Sequence, residues 1–376
     1  RIYMGVDYRP DHSLRIPRPD LSAKLGTPNA CSAKDCHADK SLAWNVEHYT
    51  KWYGEARKPH YGEIIAAGRA QKPEVESELI RLAEDSLVPA IVRASALELL
   101  RSYPSPDSQT TLAKALEDND ALLRYTAIRS LEYFDAETRL KRIAPKLYDP
   151  VKAVRMEAAM MLSVLPKEQL REDDRVAFDK GLAEYREAML YNSDLAAQRY
   201  NLGNLAVNLG DDDQAIEVYE KSIDIDDRFY PAKVNLAILY NRKGKNHEAE
   251  KLLREVVESE PELYEVSYSL GLLLAEMQQY QDAERYLGRA AAGMNYGRAH
   301  YNHGQVLLVL NQPSRAEQAL QTALSLAPQE QDFFVALADF YLKSGQNEKA
   351  RKLAIDMSRQ MRDHEAAIEL LRYLDR

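Results

Sequence analysis

The sequence predicts a mostly α-helical chain in which a short irregular segment is followed by an α-solenoid, a stack of helical hairpins. Internal repetition carries that prediction, with a period of 31 residues in the first half and of 33 or 34 in the second. Units of such length cannot bury their apolar faces alone and must stack on one another. A third observation sets the first stretch apart: Pro10, Pro17, Pro19, Pro28 and Pro59 punctuate it, and no long amphipathic period occurs before Lys40. Composition agrees, since 376 residues exceed one compact core and 45% hydrophobic residues are too many for a disordered chain. No run approaches the roughly 18 apolar residues of a membrane-spanning helix, the densest patches being short ones such as Leu270 to Ala275. No membrane span is expected in this chain. It opens at Arg1 without a methionine or a charged-then-apolar leader, so it is expected to be processed or part of something longer. The charge of −9 is uneven: residues 1–60 hold 10 Lys and Arg against 7 Asp and Glu, leaving −12 for residues 61–376. An acidic body argues against a nucleic-acid partner.

The first element, residues 1–61, clusters Trp44, Tyr49, Trp52, Tyr53 and Tyr61 but has too little regular structure to bury its own core. Something else must organise it. Its chemistry lies in Cys31-Ser-Ala-Lys-Asp-Cys36-His37, which holds both cysteines of the chain. Two thiols beside an imidazole suit covalent haem attachment, where the sulfurs add across the vinyl groups and the histidine sits beneath the iron. The same residues suit a small-loop disulfide, or a zinc site completed by another ligand. Spacing alone leaves the three open. Four residues separate the cysteines where two are commoner, and His12, His48 and His60 are the remaining histidines of the segment.

Residues 62–168 form the second element. The chain reads DSLVPAIVRASALELL from Asp85, DNDALLRYTAIRSL from Asp118 and DPVKAVRMEAAMML from Asp149, so Arg93, Arg124 and Arg155 fall 31 residues apart. An alanine follows each arginine by three positions: Ala96, Ala127 and Ala158. An Asp before a turn, then an arginine and a small residue on a helix, is similar to HEAT-like repeats. The alanines let helices approach, and the arginines can pair with aspartates of the neighbouring unit. Residues 169–195 are expected to be a connecting helix.

The fourth element covers residues 196–376. Gly203, Ala237, Gly271, Gly304 and Ala338 recur at 34, 34, 33 and 34 residues, and Ala215, Ala249, Ala283, Ala316 and Ala350 keep step. Leu202, Leu236, Leu270 and Leu337 precede the small residue, with His303 in their place in the fourth unit, and Pro328 closes one unit. The pattern resembles the tetratricopeptide repeat, five units over about 196–361 and a terminal helix to Arg376. Positions near the middle of each first helix face a concave groove in such repeats. Asn201, Asn235 and Asn302 share one of them, with Asn204 three residues beyond the first, and Tyr200, Tyr268 and Tyr301 add aromatic area. An amide offers both donor and acceptor to a peptide backbone, so a peptide or protein in this groove is the expected partner. His300 and His303 fall at helix-packing positions, where a structural use outweighs metal binding.

The flanks of the cysteine motif extend the resemblance. YMGVDYRPDHSLRIPRPDLSAKLGTPNAC, then CHADKS, Trp44, WYG at 52–54 and HYGEIIAAGR at 60–69 look like the C-terminal part of multihaem c-type cytochromes that carry HEAT-like and tetratricopeptide repeats. The resemblance implies covalent haem c, with Cys31 and Cys36 as attachment points and His37 as proximal ligand. It makes His12 the distal ligand to this or a neighbouring haem, with His60 and then His48 as alternatives, and it places a further haem site before Arg1. Arg15, Arg18, Lys24 and Lys40 would neutralise propionates. Two histidine ligands leave no open position for substrate, so the resemblance implies electron transfer without a catalytic site in this chain. It also implies export to the periplasm or the extracellular space, redox partner proteins, and a homo-oligomer or larger assembly. The alternative is a non-redox tetratricopeptide scaffold for protein interaction.

Overall fold

The computed structural model describes residues 2–3, 7–8, 17–32, 36–55, 59–360 and 365–375, and these are mostly helical. They fall into two compact units, divided between Tyr185 and Arg186.

In the first unit two short strands, Ile2–Tyr3 and Asp7–Tyr8, pair antiparallel. The segment expected to be irregular also contains helices Pro19–Leu25 and Leu42–Tyr53. Ser41 caps the second by accepting the Trp44 N–H, and Gly54, at φ 81°, ends it in a conformation that favours glycine. Asn45 is the one residue of that helix fully buried among the described residues.

Helical hairpins follow. Glu76–Glu84 pairs with Ala90–Leu100, Pro106–Ala115 with Ala121–Ser130, and Ala136–Ile143 with Lys152–Leu162. The turn before each second helix is built by its aspartate: Asp85, Asp118 and Asp149 each accept, through Oδ1, the N–H two residues on at 2.9 Å. Arg93 then donates to Asp118 at 2.8 Å, and Arg124 grips Asp149 through two bonds of 2.7 and 2.9 Å. The arginines also cap carbonyls, Arg124 those of Asp118 and Asn119, Arg155 those of Asp149 and Pro150. Burial opposes ionisation of Asp149, yet the bonds from Arg124 and the Val151 N–H outweigh it and hold the carboxyl below its ordinary range. Ala96, Ala127 and Ala158 have no exposed surface.

The ladder does not stop at residue 168. Arg155 is held by Glu184, at 2.7 and 3.0 Å, on the 20-residue helix Glu172–Tyr191. Gly181 of that helix lies so close to Ala159 that a Cβ there would be 2.8 Å from the alanine methyl. The stretch read as a connecting helix is therefore packed into the first unit over most of its length.

Among its described residues the second unit contains five helix pairs: Ala196–Asn208 with Asp212–Ile225, Tyr230–Arg242 with Asn246–Ser259, Tyr264–Glu276 with Tyr280–Gly293, Gly297–Val309 with Pro313–Leu326, and Gln331–Lys343 with Asn347–Gln360. A final helix, Glu365–Leu374, buries Ala367 and Leu370. The five alanines from Ala215 to Ala350 have no exposed surface. Glycine is required where the first helix meets the ring or branch of its partner: a Cβ at Gly203 would lie 2.3 Å from the Tyr219 ring, and one at Gly271 2.7 Å from Leu287. The turns repeat as well. Gly210, Gly244, Gln278, Asn311 and Gly345 all take positive φ. The N–H after each bonds a carbonyl five residues back, as in Asp211 to Ala206 at 2.9 Å and Gln346 to Tyr341 at 2.8 Å. This is the Schellman closure of a helix C-terminus.

Candidate functional site

Of the cysteine motif, Cys31, Ser32, Cys36 and His37 are among the described residues. Ala30–Ser32 is a short 3-10 helix, Asn29 Oδ1 accepts the Cys31 N–H at 3.1 Å, and the His37 N–H bonds the Cys31 carbonyl at 3.1 Å. Neither cysteine is in a disulfide; Cys31 is half-buried, Cys36 and His37 are exposed. Helix Leu42–Tyr53 carries a row of rings at i, i+4 and i+8. His37 lies 5.1 Å from Trp44, Trp44 stacks on His48 at 4.0 Å and 30°, and His48 meets Trp52 edge-on at 6.3 Å and 78°. Trp44 and His48 are half-buried, and the far end of the row is open, Trp52 being 71% exposed. Two unbonded thiols, one half-buried and one exposed, with the following exposed imidazole are a donor set whose chemistry fits covalent haem. Among the described residues no three His, Cys, Asp or Glu side chains converge as a metal site would require.

The histidines named with the motif differ in surroundings. His12 lies outside the described residues, as does Arg15. His48 Nδ1 is 3.0 Å from the Trp44 carbonyl oxygen. His60 is the N-cap of helix Tyr61–Arg69, its Nδ1 accepting the Gly62 N–H at 3.0 Å. It lines an open cleft of about 690 Å³ together with Leu25, Ile64 and Val75. The cations expected near propionates already have carboxylate partners: Arg18 with Asp20, Lys24 with Glu63, and Lys40 with Asp39.

In the second unit the amides expected to face a ligand bond to the repeats themselves. Asn235 Nδ2 donates to Asn204 Oδ1 at 3.0 Å and to the Tyr200 and Tyr219 hydroxyls at 3.3 Å, while Tyr219 donates to Asn204 at 2.6 Å. Burial pushes the Tyr219 hydroxyl up to about 12, so it stays protonated and donating. Asn302 donates to the Tyr268 hydroxyl, one repeat back, at 2.7 Å. Asn201 donates to Met189 Sδ at 3.7 Å. Thus an asparagine of one first helix meets a tyrosine of the preceding one. The rung is absent where the pair becomes Val234 with Ser269, or Tyr301 with Ala336; there Tyr301 stacks on Phe333 at 5.0 Å under Arg298. Tyr219 and Phe333 were not among the residues singled out from sequence. The signal for Tyr219 is Gly203, a helix glycine that marks a close approach by a side chain of the partner helix.

Sequence models described as tetratricopeptide repeat match residues 199–229, 234–299 and 307–372. The second unit carries tetratricopeptide repeats. The chain is 28% identical over 158 residues to the TPR repeat-containing protein MJ1428 of Methanocaldococcus jannaschii, a match covering 39% of this chain and 28% of that protein. It is 28% identical over 123 residues to the photosystem I assembly protein Ycf3 of Rippkaea orientalis, covering 27% of this chain and 71% of that protein. Among solved structures it is similar to MamA, with TM-score 0.40, 24% identity and coverage of 45% of this chain and 93% of that one. It is similar too to YrrB, described as a TPR protein with an unusual peptide-binding site, with TM-score 0.42, 22% identity and coverage of 49% and 96%.

Proposed function

We propose that this chain is a protein-binding scaffold that carries a covalent haem in its first segment. What supports the scaffold reading is the row of first helices in the second unit, where tetratricopeptide models match and Asn–Tyr rungs hold the helices in register. The proposed ligand is an extended peptide or protein segment lying along Tyr200, Asn201, Asn204, Asn235, Tyr268, Tyr301 and Asn302. Between the two rungs, Ile238 and Leu272 occupy equivalent repeat positions and stay exposed at 47% and 39%, apolar area for a ligand side chain. A role in assembly accords with the name of the Ycf3 relative. The test is retention of a native-host protein by the full chain, compared with an Ile238→Asp, Leu272→Asp double variant. Retention lost in the variant supports the groove; equal retention by both overturns it.

Electron transfer is the second reading, and the donor set of Cys31, Cys36 and His37 favours it. Bound haem supplies a one-electron couple at its iron. Cys31 and Cys36 would hold it by thioether bonds, His37 would give the iron an imidazole, and Trp44 and Trp52 would cover its apolar disc. We place the helical pairs before the second unit with HEAT-like repeats, and the chain in the periplasm or outside the cell, with redox proteins as partners and a homo-oligomer or larger assembly as its working form. The test is a pyridine-haemochrome spectrum with intact mass on protein made in a host that attaches haem c, beside Cys36→Ala. A c-type spectrum and one haem's added mass, impaired in the variant, support this reading; an unmodified, colourless protein overturns it and leaves the scaffold.

A further inference from the structure

We infer that His48, rather than His60, is the histidine set to take the distal axial position on the haem iron at Cys31 and Cys36; this rests on the haem reading above. The argument turns on which ring nitrogen holds the proton. His48 Nδ1 lies 3.0 Å from the Trp44 carbonyl oxygen. A carbonyl oxygen only accepts, so Nδ1 carries the proton and Nε2 keeps its lone pair. Metal-bound histidines are held in this way, the far nitrogen donating to a carbonyl or carboxylate that sets tautomer and ring orientation. The ring is also clamped, with Trp44 against its face and Trp52 against its edge. No hydrogen-bond partner of Nε2 occurs among the described residues.

His60 has the opposite arrangement. Its Nδ1 accepts the Gly62 N–H at 3.0 Å. An N–H only donates, so the proton of the neutral ring sits on Nε2, the nitrogen that would have to face the iron. Ligation through Nε2 would cost the helix its N-cap. The ring is packed tightly there, since a Cβ on Gly62 would fall 2.8 Å from Nδ1. The rings of His48 and His37 both contact the Trp44 indole, at 4.0 and 5.1 Å.

The experiment uses the full chain with haem attached, comparing His48→Ala, His48→Met, His60→Ala and His12→Ala by low-temperature EPR, redox titration and intact mass. The expected result is that His48→Ala keeps its haem mass but converts the low-spin signal to high-spin, and that added imidazole restores it. His48→Met should stay low-spin with a raised reduction potential, which separates ligand loss from misfolding. His60→Ala should keep the wild-type signal and lower the melting temperature. A low-spin signal that survives in His48→Ala and disappears in His12→Ala or His60→Ala overturns the inference. A chain that never acquires haem, seen in its mass before any variant is compared, overturns the underlying reading instead.

Discussion

Between residues 85 and 184 successive hairpins are tied by charge, whereas in the second unit the tight contacts are made by small residues and neutral hydrogen bonds. Arg124 and Asp149 are only 11% and 5% exposed. Ion pairs between repeats of the second unit lie further out, as in Arg242 with Asp212 and Arg298 with Glu330. Its close approaches are instead a glycine against a ring, at Gly203, and an amide against a phenol, at Asn235 and Asn302. Both arrangements solve one problem, the register of stacked helix pairs. A buried ion pair specifies a partner strongly but leaves a costly orphan when one side is removed, while a glycine contact tolerates loss and resists addition.

The comparison can be broken most severely at Arg124. Arg124→Ala takes the guanidinium from the buried Asp149 carboxylate and frees two carbonyls, so a loss of about 3–5 kcal/mol is expected in the transition of the first unit. Chemical denaturation with hydrogen exchange over residues 118–165 measures it. A loss under about 1 kcal/mol would show that the ladder only decorates the core.

Gly203→Ala comes next. The added methyl meets the Tyr219 ring, so the second unit should lose about 1–3 kcal/mol, with no change in the first. Ala237→Gly, at the equivalent position of the next repeat, tests the other sign and should cost less, about 1 kcal/mol of helix propensity. Equal melting of Gly203→Ala and the parent would mean that the two helices can part freely.

Acid sharpens the comparison at the fourth repeat. His303 stands where the other repeats carry leucine, its Nε2 3.1 Å from Glu284, which Arg315 also holds. Burial lowers the His303 pKa below its ordinary 6.5, against a raising influence from Glu284, and burial and His303 lower that of His300. The unfolded chain therefore binds the proton first. Stability is complete above about pH 6.5 and falls as pH drops below it, by at most about 1.4 kcal/mol per pH unit for each histidine. Thermal melts at pH 7.5 and 5.5 read this, and His303→Leu should flatten the profile. An unchanged profile in that variant would locate the acid sensitivity elsewhere.

The smallest effect is expected at Gln278, whose φ of 60° is left-handed where three other turns of the series have Gly210, Gly244 and Gly345. Gln278→Gly should stabilise the second unit by up to about 1 kcal/mol. Gly244→Gln should do the reverse, and a melting temperature lowered by Gln278→Gly would contradict the Schellman reading of these turns.

The 31- and 34-residue periods determined the helical hairpins, because an unstacked hairpin cannot bury its face and the spacing of arginines, alanines and glycines states where neighbours touch. Asp118 and Asp149 were legible as partners of Arg93 and Arg124 for the same reason. Helix Glu172–Tyr191 was less legible as part of the first unit, since Gly181 and Glu184 break the 31-residue pattern and declare their contacts only in space. The asparagines show the limit most plainly. An amide series along one helix row announces hydrogen bonding, but the sequence does not say with whom, and the structure gives Asn235 to Tyr200 and Asn302 to Tyr268. Likewise the sequence placed four histidines near two cysteines without ranking them by chemistry. Which ring nitrogen of His48 or His60 carries the proton depends on a carbonyl four residues back and an N–H two residues on. Those are backbone groups, the same in every residue, so only the local fold decides where they point.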